Sequence, residues 1–274
     1  MDANPYLVSE LINVGLNRRE ARWLVDEFMA DPNHEAIAAL RAAADRRLRG
    51  EPLQYVIGHW PFRTLDLDLD ARVLIPRPET EELVGVALEE LARSNVAAPL
   101  IVDLGCGSGA IGLALLHELN ERGIRATLVA VDDSPDAIAV AKQNAVKHHL
   151  LAVSFVESSW FGSLDQSLRG RVDLIVSNPP YVGSDEFASL DPILSYEPIG
   201  ALVADDSDGS AGFSDLALII NEARDWLAPQ GVLICEHGNM QREVVVATAK
   251  KVGFSWVVDL DDSAGHPRML VARR

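Results

Sequence analysis

The sequence predicts an α/β fold, a doubly wound and mostly parallel seven-stranded sheet behind a small all-helical segment, and three observations predict it. Beyond Pro99, short apolar runs alternate with helical patterns, the signature of consecutive strand–helix–strand units. Gly105, Gly107 and Gly109 cluster where the first of those strands gives way to a helix. The fourth strand runs into Asn178-Pro179-Pro180-Tyr181, at the carboxyl edge where open α/β sheets bind ligands.

The opening segment is helical by periodicity. Leu7, Leu11 and Val14 share one face, then Ala21, Leu24, Val25 and Phe28, then Ile37, Leu40 and Ala44. Asn17 and Asn33 stand where helix caps belong, so residues 1–50 are expected to form a helical domain, with a lid on the main core as the other reading of the same pattern. Gly50-Glu51-Pro52 closes it. Gln54 to Leu69 reads as loop and short strands, because Leu65, Leu67 and Leu69 alternate with Asp66, Asp68 and Asp70 as in a half-exposed hairpin. Residues 51–78 are therefore expected to be a linker and residues 79–274 the main domain. In Ile75-Pro76-Arg77-Pro78-Glu79-Thr80-Glu81, two prolines hold the backbone around Arg77 extended, and Arg77 has two readings, a partner for a carboxylate or a surface ion pair. An amphipathic helix through Leu83, Val84, Ala87, Leu88 and Leu91 follows.

The expected strands are Leu100 to Leu104, Thr127 to Asp132, Ala152 to Val156, Val172 to Val176, Gly231 to Cys235, Phe254 to Leu260 and Arg268 to Ala272. Helices are expected from about Ala110, from Pro135 to about Lys147, near Ser214 to Leu227, and after Asn239. The acidic stretch from Ala204 to Gly212 reads as a surface loop.

Composition narrows the function classes. With 274 residues and 48% hydrophobic side chains, the chain can bury one large core with material left for a small second unit. Its formal charge of −17 repels a phosphate backbone, which argues against nucleic acid as the main partner. Cys106 and Cys235 lie far apart and belong to no zinc-binding spacing, so neither a disulfide nor a metal framework is expected. The stretch MDANPYLVSE lacks the pattern of a signal peptide and no segment has the length of a membrane span; a cytoplasmic protein with no membrane partner, monomeric by default, is expected.

The chemistry concentrates at strand ends. Asn178 both donates and accepts through its side chain, whereas Pro179 and Pro180 remove backbone donors and leave carbonyl acceptors; the set is a mould for a planar NH2-bearing group on which the Tyr181 ring can pack. Asp103-Leu104-Gly105-Cys106-Gly107-Ser108-Gly109 lets the backbone approach a ligand at a helix amino terminus. Gly105, Gly107 and Ala110 also satisfy the dinucleotide fingerprint, with Asp132 at the distance of its ribose-binding acid, so a nicotinamide reading stays open on this loop alone. Three features favour S-adenosylmethionine. Asp103 is positioned to face a cationic group, Asp132 with Asp133 beside it can accept from two ribose hydroxyls, and Trp160 can pack on adenine, ordinary core packing being its other reading.

With these motifs in place, the chain resembles the release-factor glutamine methyltransferases, the HemK/PrmC family of the class I methyltransferase fold. The resemblance rests on Gly50-Glu-Pro-Leu-Gln-Tyr55, Ile75-Pro-Arg-Pro-Glu-Thr-Glu81, Asp103 to Gly109, Asn178 to Tyr181, Tyr196-Glu-Pro198 and Glu236-His-Gly-Asn-Met-Gln241. Asn-Pro-Pro-Tyr is shared with adenine-N6 nucleic-acid methyltransferases and with enzymes acting on a ribosomal-protein glutamine; the Pro-Arg-Pro-Glu-Thr-Glu stretch, the small helical amino-terminal domain and the Glu-x-Gly-x-x-Gln tail together look most like the release-factor enzymes. The resemblance implies methyl transfer from S-adenosylmethionine to the side-chain amide nitrogen of the glutamine in the Gly-Gly-Gln loop of class 1 peptide chain release factors. It also implies cofactor contact by Asp103, Gly105, Cys106, Gly107, Ser108, Gly109, Asp132, Trp160 and Asn178. Substrate binding falls to Asn178, Pro179, Pro180 and Tyr181, with Asn178, Pro179 and Tyr181 catalytic and residues 1–50 recognising the substrate. No general base is expected; Glu197 and Glu236 are read as structural groups or proton relays. The competing readings are a glutamine methyltransferase of a ribosomal protein, an N6-adenine nucleic-acid methyltransferase, a non-catalytic nucleotide-binding adaptor, and a nicotinamide dehydrogenase, the last lacking a recognisable proton-donating pair.

Overall fold

Asparagine starts each of the first three helices. In the computed structural model, which describes residues 4–31, 33–187, 189–204 and 212–274, Asn4 accepts from Tyr6 N–H ahead of α1 (Pro5–Asn13), and Asn17 accepts from Arg19 and Glu20 N–H ahead of α2 (Arg18–Phe28). Asn33 accepts from Ala36 N–H ahead of α3 (His34–Leu48). Each cap satisfies backbone donors that the helix itself leaves bare and stabilises by about 1 kcal/mol. Leu7, Leu11, Leu24, Val25, Leu40 and Ala44 meet in a core of their own.

A short helix, α4 (Leu53–Ile57), stands where the sequence reads as loop and strand. Its five residues are too few for periodicity to register, and packing decides the conformation: Leu53 and Val56 complete the helical core while Tyr55 turns into the main one. Tyr55 Oη donates to Val73 O, and Arg46 binds the Tyr55 carbonyl and Glu51. The hairpin of β1 (His59–Phe62) and β2 (Leu65–Asp68) forms as expected, turning at Arg63 with φ 50°.

α5 (Pro78–Ser94) leads into the main sheet, built from β3 (Leu100–Leu104), α6 (Ala110–Glu121), β4 (Thr127–Asp132), α7 (Pro135–Lys147), β5 (Val153–Glu157) and β6 (Val172–Ser177). The single turn α8 (Ser184–Phe187) and two 3-10 turns (192–196 and 199–201) follow, then α9 (Ser214–Trp226), β7 (Leu227–Glu236), α10 (Arg242–Val252), β8 (Trp256–Asp261) and β9 (Pro267–Arg273). The strand order is β5-β4-β3-β6-β7-β9-β8, with β9 antiparallel to both neighbours and the other pairings parallel. The acidic loop expected between Ala204 and Gly212 lies, at residues 205–211, outside the described residues.

Alternation along the strands divides the core. Ile101, Leu128, Ala130, Leu174 and Val176 face α5, α6 and α7, whereas Val102, Leu104, Val129, Val131 and Ile175 face α9 and α10. β7 begins earlier than expected, at Leu227, and a register shift between Val172 and Leu174 absorbs the extra residues. Gly231 permits this close pairing, since a Cβ there would fall 2.6 Å from Val172 O. The order reverses between β3 and β6, so the crevice at their carboxyl ends is where a ligand binds.

Candidate active site

The glycine loop builds the floor of this crevice. Gly105 (φ 68°), Gly107 (φ 53°) and Gly109 (φ 83°) all occupy left-handed backbone, which L side chains resist, and carry the chain from β3 into the amino terminus of α6. Asp132, ending β4, clamps the loop: its Oδ2 accepts from Gly107 N–H at 2.8 Å and its Oδ1 from Ser134 N–H at 3.0 Å. Burial raises the Asp132 pKa, an effect that these two N–H groups oppose. Trp160, after β5, also sits in left-handed backbone (φ 45°), a conformation a bulky residue holds only when its surroundings compel it. Its indole Nε1 donates to Asp215 Oδ1 at 3.0 Å, and its ring lies where a Cβ on Gly105 would touch it at 3.4 Å.

A cavity of about 610 Å³ opens above this floor, lined by Gly105, Gly107, Asp132, Trp160, Asn178 and Pro180 among others. A smaller one of about 230 Å³ adjoins it, lined by Arg77, Pro179, Tyr181, Leu190 and Leu194. Asn178 belongs to both walls. The segment 192–203 roofs the two cavities and is pinned by buried Glu197, which accepts from Ile75 N–H at 3.0 Å and from Arg77 Nη2 at 2.7 Å. Arg77 is thus committed to a protein carboxylate.

Four expected contact residues lie off the cavity wall. Asp103 is fully buried and turned toward α6, where Oδ2 accepts from Gly112 N–H at 2.9 Å, rather than facing an incoming cation. Its Oδ1 is buried without a hydrogen-bond partner, and burial, helped by the nearby charge of Asp132, pushes its pKa up to about 7 against the Gly112 N–H bond. Cys106, Ser108 and Gly109 are buried and shape the loop from beneath. Burial and the neighbouring acids raise the Cys106 thiol well above its ordinary value.

Behind Asn178 stands a network that the sequence did not reveal. Asn178 Nδ2 donates to Thr80 Oγ1 at 3.2 Å, Thr80 donates to Glu236 Oε2 at 2.7 Å, and Tyr181 Oη donates to Glu236 Oε1 at 3.4 Å. Burial and the Glu236 charge push the Tyr181 phenol up to about 12. Gln241 ties the far end: its Oε1 accepts from Gly238 N–H, and its Nε2 donates to Gly212 O at 3.0 Å and to Tyr181 O at 3.4 Å. Gly212 is required beside Tyr181, since a Cβ would fall 2.4 Å from its carbonyl oxygen. Thr80, Glu197, Glu236 and Gln241 all lie in quoted motifs, but nothing in their spacing says that they converge.

Comparison with known proteins decides the family. A profile described as "Methyltransferase domain" matches residues 98–261. The chain is 40% identical over 233 residues to the release factor glutamine methyltransferase of Pasteurella multocida (strain Pm70), covering 82% of this chain and 76% of that one. The chain belongs to the release factor glutamine methyltransferase family. A second member, from Bifidobacterium longum (strain NCC 2705), is 34% identical over 274 residues, covering 97% of this chain and 90% of its own. The class I methyltransferase fold is shared with the T. thermophilus 16S rRNA N2 G1207 methyltransferase solved with AdoMet and guanosine. That protein is 19% identical with a TM-score of 0.57, over 79% of this chain and 49% of its own. Among release factor glutamine methyltransferases this chain thus brings its Asn-Pro-Pro-Tyr motif, glycine loop and Pro-Arg-Pro-Glu-Thr-Glu segment to one crevice, and no helix among its described residues is long and apolar enough to cross a membrane.

Proposed function

We propose that the chain transfers the methyl group of S-adenosylmethionine to the side-chain amide nitrogen (N5) of the glutamine in the Gly-Gly-Gln motif of class 1 peptide chain release factors. The observation that carries this reading is the position of Asn178 on the wall common to both cavities, where a group bound in the smaller one meets a group bound in the larger. The larger cavity fits the cofactor in size and chemistry. Its volume is that of a small-molecule site, Gly105 and Gly107 leave the floor free of side chains, Asp132 offers acceptors to vicinal hydroxyls, and Trp160 offers a flat face. When bound, S-adenosylmethionine supplies an electrophilic methyl group on a sulfonium. In this assignment Gly105, Gly107, Asp132, Trp160 and Asn178 touch the cofactor, and Asp103, Cys106, Ser108 and Gly109 hold the loop in shape.

An amide nitrogen is a poor nucleophile because its lone pair is delocalised into the carbonyl, so orientation is the catalytic resource the site must supply. Asn178 Oδ1 and the Pro179 carbonyl each accept one hydrogen of the substrate NH2 and aim its out-of-plane lone pair at the larger cavity. Pro179 is buried and Tyr181 lines the slot, so Pro179, Pro180 and Tyr181 exclude water around the glutamine. No general base is assigned; the proton leaves after transfer.

Residues 1–50 recognise the protein substrate, residues 51–78 link, and residues 79–274 carry the chemistry of a cytoplasmic monomer. A nucleic-acid substrate is disfavoured by the charge around the site. Among the described residues, Arg72 and Arg77 are the Lys or Arg side chains lining the two cavities, and each is paired with a carboxylate, Asp70 and Glu197. Mass spectrometry of an unmodified release factor incubated with this protein and S-adenosylmethionine tests the reading. One methyl increment on the loop glutamine, absent from a Gln-to-Ala loop variant, is expected. A release factor left unmodified by cofactor-bound protein would overturn it.

A further inference from the structure

We infer that Thr80, backed by Glu236, is a positioning residue that decides which end of the Asn178 amide faces the substrate. This deepens the methyl-transfer reading above and rests on it. A side-chain amide is nearly symmetric in shape, and a half-turn exchanges an acceptor oxygen for a donor nitrogen. The substrate NH2 brings two hydrogens and needs acceptors, so an Asn178 turned the wrong way would set donor against donor. Something beside the amide must therefore choose between the two orientations. The hydroxyl of Thr80 does.

Thr80 has one hydrogen to give, and buried Glu236 takes it at 2.7 Å. Ionised Glu236 carries no hydrogen of its own and receives a second donor from Tyr181. Toward Asn178, 3.2 Å away, Thr80 therefore presents only lone pairs, and the amide must turn its Nδ2 to them. Its Oδ1 is then left for the substrate. The sense of the chain runs outward from one carboxylate at the end of β7, through the first turn of α5, to the end of β6. Burial raises the Glu236 pKa, and the hydroxyls of Thr80 and Tyr181, both donating to its carboxylate, and the charge of Arg268 oppose that rise and favour the ionised form.

Steady-state methylation of a release factor tests the assignment, with cofactor affinity measured separately by calorimetry. Thr80→Val keeps the shape and removes the hydroxyl; kcat is expected to fall roughly five- to a hundred-fold while cofactor Kd stays within about twofold. Thr80→Ser restores the hydroxyl and is expected to return kcat to within about threefold of wild type. A Thr80→Val protein that does not fold is replaced by Thr80→Ala, for which the same split is expected. Wild-type kcat in the hydroxyl-free variant, a loss confined to cofactor affinity, or a Thr80→Ser variant as slow as Thr80→Val would each overturn the inference. Wild-type protein that binds the cofactor and methylates no release factor would instead overturn the proposed function and this inference with it; turnover by wild type separates the two failures.

Discussion

The two cavities that meet at Asn178 are built from different materials. The larger rests on backbone: three glycines in left-handed conformation, clamped by one aspartate that binds main-chain N–H groups. The smaller rests on side chains, with Thr80, Glu236, Glu197 and Gln241 reaching in from separate elements to hold the walls. A backbone cradle is vulnerable to any added atom, since a Cβ changes its allowed conformations. A side-chain network tolerates atoms and is vulnerable to a change in donors and acceptors. Cofactor affinity and turnover should therefore respond to different substitutions.

Asn178→Ala is the strongest test of that separation. It removes the orienting acceptor without disturbing the cradle and should cost on the order of 1–3 kcal/mol in the transition state, roughly five- to a hundred-fold in kcat at saturating cofactor. Unchanged kcat would mean that Asn178 orients nothing. Asp132→Ala acts on the other side of the wall: Gly107 and Ser134 lose their acceptor, and calorimetry should show cofactor affinity weaker by about 2 kcal/mol, roughly thirty-fold. Affinity at the wild-type level would reassign the ribose-binding acid. Gly105→Ala is expected to do less. Holding an L residue at φ 68° costs about 1–2 kcal/mol, and the new methyl would touch the Trp160 ring, so affinity should drop about five- to thirty-fold with kcat little moved. A matching loss in kcat would show that the two cavities are not separable.

A separate effect is expected in stability, and it depends on pH. Asp103 has an ordinary pKa of 3.8 that burial lifts to about 7, so between these values the folded protein keeps a proton that the unfolded chain has released. The Asp103 contribution to stability thus falls as pH rises through this window and stays low above it. Asp103→Asn removes the titration. Its Tm relative to wild type should be higher at about pH 8 than at about pH 5, by on the order of 2–3 kcal/mol or roughly 5–10 °C. A pH-independent difference would mean that Asp103 does not titrate there.

The same contrast explains what could be read from the chain. The cradle is local: the glycines, Asp103 and the strand before them lie within a few residues, and Asp132 ends the next strand, so periodicity and motif together locate it. Direction was less legible. Asp103 points under α6 because Gly112, in the first turn of the helix, offers its N–H there, and a linear motif does not state on which side of a strand its ligand sits. The slot is assembled across long separations, Thr80 to Glu236 and Ile75 to Glu197, and its hydrogen bonds come into being only when the sheet has ordered its strands. α4 escaped for another reason. Five residues carry too little pattern, and its helical form is set by the two cores it joins.

Strand order also bears on how the molecule is made. β9 comes last in sequence among the strands yet occupies an inner position, between β7 and β8. While a ribosome is still delivering residues 267–273, β8 has no neighbour to bond with and one edge of β7 stays bare. The half of the sheet that carries the glycine loop can assemble during translation, but the sheet closes only afterwards, and a nascent chain shortened before β9 would leave an open, aggregation-prone edge beside Glu236.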